Sequence, residues 1–110
     1  MPSALEADFH EAMVDVYTRA KSEAGYNATR FRKMVWDQGG LATAHYLLRQ
    51  PTISEGYAAL WQLHRLDLTV EAVVLQPKWH DLFTPAERNT AITRLREYGF
   101  TGPLPEIEAE

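Results

Sequence analysis

Three groups of residues have the types and spacing that chemistry would use. His10-Glu11 begins like the H-E-x-x-H zinc motif, in which two imidazoles one helical turn apart grip the metal while the glutamate serves as base. Position 14 is Val, so the second ligand is missing, and the pair reads as exposed polar residues on a first helix. His64-Arg65-Leu66-Asp67-Leu68 has the outline of a kinase catalytic loop, but a leucine is inserted, and neither a glycine-rich phosphate loop nor a D-F-G metal-binding triplet accompanies it. Asp67 then reads as a helix cap and Arg65 as a surface or capping cation. His45, His64 and His80 are scattered, with no spacing that unites them with carboxylates. No catalytic residue, metal ligand or cofactor is assigned.

The third group is the informative one. Arg30, Arg32, Lys33 and Trp36 fall within two helical turns, and Arg32 and Trp36, four apart, have the spacing for cation–π stacking. Arg30 and Lys33, three apart, occupy the neighbouring strip. Such a face suits an acidic protein partner or a phosphate backbone.

The elements that must position these residues are helical. Ser3-Ala-Leu-Glu6 has the form of a capping box, and behind it Leu5, Phe9, Ala12, Met13, Val16 and Ala20 make one apolar stripe that ends at Gly25. Asn27 is expected to cap a second helix, with Phe31, Met34 and Val35 inward and the basic residues outward, ended by Gly39-Gly40. A third helix carries Leu41, Ala44, His45 and Leu48 and stops at Pro51. Thr52-Ile-Ser-Glu55 opens a fourth with Ile53, Tyr57, Leu60, Trp61 and His64 on one side. Gly56 inside it costs ~1 kcal/mol relative to alanine, which predicts a close packing contact.

Leu68 to Gln76 is apolar on nearly every side. Its valines also suit a strand, but no partner strand exists elsewhere, so a central helix is predicted. Lys78 to Phe83 is expected to form a short turn anchored by Trp79, Leu82 and Phe83. Thr84-Pro-Ala-Glu87 combines a capping box with proline at the first helical position, Ala91, Ile92, Leu95 and Tyr98 follow, and Gly99 closes the helix with Phe100 folded back on Leu95.

Composition bounds the rest. The chain has 110 residues, 45% apolar, with no cysteine, which allows one compact domain and excludes disulfides, thiolate zinc sites and a cysteine nucleophile. The net charge is −4, and setting aside Glu106, Glu108 and Glu110 leaves eleven bases against twelve acids. A globally basic nucleic-acid binder and an acidic nucleic-acid mimic are both disfavoured, since each needs a strong field of one sign. The opening residues have neither a basic n-region nor an apolar h-region, and no apolar run approaches a membrane span, so a cytoplasmic, non-membrane protein is expected. Without a secretory signal, the sequon Asn27-Ala-Thr29 reads as a helix start. We expect a single helical domain over 1–100 and an acidic tail over 101–110 without fixed structure.

Several stretches form a distinctive series: Tyr26-Asn-Ala-Thr-Arg-Phe31, Gly39-Gly-Leu41, Leu47-Leu48, Ser54-Glu-Gly56, Leu60-Trp61, Arg65-Leu-Asp-Leu-Thr-Val-Glu-Ala72, Leu82-Phe83 and Arg94-Leu-Arg-Glu-Tyr-Gly99. Taken together the chain resembles a family of small, mostly uncharacterised bacterial all-helical proteins. The resemblance implies a compact free-standing helical domain, found at times beside nuclease-like modules. It transfers no activity, and it does not include Trp36, Trp79 or the acidic tail.

The sequence thus predicts an all-α fold, a compact orthogonal or antiparallel bundle of five to six short helices. Its leading functional reading is a non-enzymatic interaction or accessory module that meets a protein partner, or a second copy, through Arg30, Arg32, Lys33 and Trp36. The alternative is a nucleic-acid-binding accessory of a nuclease or defence system that uses the same patch. A further alternative is a small-molecule enzyme with an unrecognised site among residues such as Tyr57, His64 and Asp67.

Overall fold

The computed structural model describes residues 3–109. They form six α-helices: α1 (Ala4–Ala24), α2 (Thr29–Gln38), α3 (Gly40–Arg49), α4 (Glu55–Gln62), α5 (Val70–Val74) and α6 (Pro85–Glu97). Short 3-10 helices at Leu66–Leu68 and Pro77–Leu82 flank α5, and no strand occurs among the described residues. The all-α prediction holds. Among the described residues, no helix is long and apolar enough to cross a membrane.

The stripe on α1 is buried as its spacing dictates, with Phe9 and Met13 sealed completely. Phe9 packs edge-to-face with Trp79 and Phe83 at 5.3 Å each, which locks the Pro77–Leu82 turn onto α1. α1 and α2 both pack on α3, while α5 packs on α6. The α1–α3 crossing is tight because Gly40 has no side chain: a Cβ there would lie 2.8 Å from the His10 Cα. Gly39 alone, at φ 90°, breaks the chain between α2 and α3, and Gly40 is already helical.

The caps differ from expectation in instructive ways. Ser3 accepts the Glu6 amide at 3.1 Å. Ser54, not Thr52, caps α4 by accepting the Tyr57 amide at 3.0 Å. α2 begins after Ala28 with no side-chain cap, because Asn27 spends its amide oxygen on the Tyr17 hydroxyl at 2.7 Å and ties the α1–α2 loop to α1. Thr84 and Glu87 form the full reciprocal box. Gly99 is left-handed at φ 81°, and Phe100 N–H donates to the Leu95 carbonyl at 2.9 Å, as a Schellman end requires.

The predicted helix over Leu68–Gln76 is shorter than expected. Thr69 is extended rather than helical; its hydroxyl donates to the Leu66 carbonyl at 2.7 Å and accepts the Ala72 amide at 3.2 Å. A buried threonine that serves its neighbours' backbone in this way restarts the helix, so Thr69 and not Asp67 is the cap. The central position survives: Val70, Glu71, Val73 and Val74 of α5 are all buried. The segment 101–109 has no regular structure, yet Glu108 reaches α6, where its carboxylate meets Arg88 at 2.8 Å and its amide meets Asn89 at 2.8 Å.

Candidate functional site

α2 presents two unlike faces. Val35 is buried and Phe31 and Met34 are half-buried against the core, which turns Arg30, Arg32, Lys33 and Trp36 outward. Trp36 is 84% exposed, the most exposed of the large apolar side chains. Arg32 does not stack on it. Long helical side chains lean toward the N-terminal end of their helix, which carries Arg32 away from Trp36, and its guanidinium sits 5.8 Å over the Tyr17 ring of α1. Lys33 pairs with Asp37 at 2.8 Å and Arg30 with Glu55 at 3.2 Å. The face is therefore nearly neutral, with Arg32 outside both ion pairs. Thr29, Arg32, Lys33, Trp36 and Asp37 border a shallow depression of about 280 Å³.

Two further arginines nearby are also paired. Arg19 pairs with Glu23 at 2.7 Å, and Glu23 also receives Arg65 at 2.8 Å. The hydrogen bonds from Arg19 and then Arg65 hold the Glu23 carboxyl down at about 2. Arg65 grips Asp67 with two nitrogens at 3.0 and 3.1 Å. The kinase-like stretch is thus a surface clasp onto α1, with His64 beside it in the left-handed region at φ 58°.

Three polar groupings inside the bundle escaped the sequence reading. His10, expected to be exposed, is half-buried, and its Nδ1 accepts the Gly40 amide at 2.9 Å at the start of α3. His45 lies 2.5 Å from Glu87, whose same oxygen meets Arg49 at 3.2 Å while its other oxygen accepts the Thr84 amide. Burial pushes the Glu87 carboxyl up, but Thr84, His45 and Arg49 outweigh it and hold the group below its usual value. Arg94 and Glu71, both buried, pair at 2.9 Å. The only sequence signal for Glu71 was an acid inside an otherwise apolar run. Among the described residues, no cluster of three His, Asp or Glu side chains has a metal-binding arrangement.

Tyr57, His64 and Asp67 are not brought together. His64 and Asp67 border a depression of about 420 Å³ with Trp61, Tyr98 and Phe100. Tyr57 lines a different cavity of about 450 Å³, bounded by α1, α2, α4 and α5. Its hydroxyl is buried without a hydrogen-bond partner, and burial raises its pKa.

No family model matches this chain, and neither the curated proteins nor the solved structures contain a match to it.

Proposed function

We propose that this chain is a non-enzymatic interaction or accessory module, which engages a protein partner through the outer face of α2 formed by Arg30, Arg32, Lys33 and Trp36. The observation that carries this reading is the 84% exposure of Trp36. A tryptophan left in water on a rigid helix is the kind of side chain that dominates binding once a partner buries it. Beside it, Arg32 offers a cation that no carboxylate of α2 neutralises, while the paired Arg30 and Lys33 form a polar rim.

This charge pattern favours a protein over a nucleic acid, because two of the three cations are already matched and phosphate binding depends on a surplus of positive charge. The partner's complementary features are an apolar pocket for the indole and an acidic group near it.

The test is affinity capture from bacterial lysate with the wild-type chain, with Trp36→Ala, and with the triple change of Arg30, Arg32 and Lys33 to Glu. A captured protein lost in both variants is the expected result, and equal capture by all three refutes this surface. A gel shift with DNA or RNA at low salt, weakening steeply as salt rises, would transfer the same face to the nucleic-acid reading.

A further inference from the structure

Gly56 is the second residue of α4, where glycine costs up to about 1 kcal/mol relative to alanine. Glycines in helices are ordinarily explained by a positive φ or by a close approach, and Gly56 has neither. Its φ is not among the positive ones, and the atoms nearest a Cβ built there, on the Tyr26 side chain and the Ser54 hydroxyl, lie at ordinary contact distances of 3.8 and 3.9 Å. Gly40 shows what a glycine required by packing looks like, with backbone 2.8 Å away. What Gly56 does do is border the 450 Å³ cavity.

That cavity has the size of a small-molecule site, roughly 300 to 1,000 Å³. Val16, Ala20, Phe31, Met34, Leu47 and Leu60 supply apolar wall, and uncharged hydroxyl and amide side chains, among them Tyr57 with its unpartnered hydroxyl, line much of the rest. At its mouth Arg30 of α2 and Glu55 of α4, 90% and 75% exposed, bridge the two helices at 3.2 Å. Charge inside is matched as well: the one carboxylate deep in the wall, Glu71, is held by Arg94. No uncompensated charge remains to attract an ionic ligand, and an ion entering this cavity would lose hydration without a counter-charge to replace it.

We infer that the cavity between α1, α2, α4 and α5 is a binding site for an uncharged small molecule, and that Gly56 keeps it open by withholding a side chain. The site shares Arg30 at its mouth with the outer face of α2, but its walls lie behind that face and its test does not rest on how the face is used.

The experiment titrates the full chain with 2-naphthol, and with 2-naphthoate and 2-naphthylmethylamine as its anionic and cationic counterparts, following the methyl resonances of Met34 and Leu47. The expected result is saturable shifts of both methyls by 2-naphthol, with affinity at least tenfold above either charged probe. Gly56→Leu, which fills the cavity from α4, is expected to weaken binding at least tenfold while melting no lower than wild type. Gly56→Ala makes the smaller step, weakens binding less, and serves should leucine not be accommodated. Unsaturable or absent shifts at these methyls, tighter binding of a charged probe, or undiminished binding in a folded Gly56 variant would each overturn the inference.

Discussion

Arg94 of α6 and Glu71 of α5 form a buried ion pair at 2.9 Å, and the same guanidinium gathers the carbonyls of Leu47, Gln50 and Thr52, the first on α3 and the others just beyond its end. One side chain thereby neutralises a carboxylate, adds a second donor to the Leu47 carbonyl at the end of α3, satisfies the Gln50 and Thr52 carbonyls, and holds α3, α5 and α6 at one junction. Removing either partner strands a buried charge. We expect Arg94→Leu to cost about 3–5 kcal/mol, because it also orphans the carbonyls. Glu71→Gln, which retains a hydrogen-bond acceptor, is expected to cost less. Chemical denaturation of the two variants checks the order.

The two helical glycines with opposite surroundings predict opposite effects. Gly40→Ala drives a methyl into the His10 backbone at the α1–α3 crossing, where neither helix yields freely, so a loss of about 1–3 kcal/mol is expected. Gly56→Ala meets no obstruction and gains helix propensity, so its stability should stay level or rise by up to ~1 kcal/mol. Thermal melts of the pair measure the contrast, and a destabilised Gly56→Ala would contradict it.

Acid sensitivity should pass through Glu87. Its carboxyl is held below the usual 4.5 in the folded chain, so the ionised form favours folding. That contribution is complete above pH 4.5 and is lost as pH falls through the lower folded value. Glu71 runs the other way: burial raises its pKa, so its ionisation opposes folding as pH rises above 4.5. Stability measured against pH should therefore fall below 4.5 in the wild type and fall less steeply in Glu87→Gln. An identical acid limb in the two proteins would assign the effect elsewhere.

Trp36→Ala should separate binding from folding. A side chain 84% exposed contributes little to the core, so the variant is expected to unfold within ±0.5 kcal/mol of wild type while losing its partner. Circular dichroism melts alongside the capture assay test both halves, and a substantial drop in stability would mean that Trp36 has a structural role.

The helices, their inward faces and most of their ends were legible in the sequence because these are local properties. A stripe at i, i+3 and i+4 puts Phe9, Met13 and Val16 on one face of α1 whatever it meets, and Thr84-Pro-Ala-Glu87 closes its own hydrogen bonds within four residues. The orientation of α2, with Val35 in and its cations out, followed from the same arithmetic. What only the tertiary structure decided are relationships across long stretches of chain. Thr69 capped where Asp67 was expected because its hydroxyl was buried beside the Leu66 carbonyl. Arg32 found Tyr17 of α1, and Arg30 found Glu55 of α4, which together with the Lys33–Asp37 pair leaves Arg32 alone outside the ion pairs of that face. Gly56 turned out to have room for a Cβ in ordinary contact with Tyr26 and Ser54, while Gly40 carried the tight crossing. Spacing along a chain specifies which side of a helix a residue occupies, but charge matching and empty volume depend on what the neighbouring helix brings there.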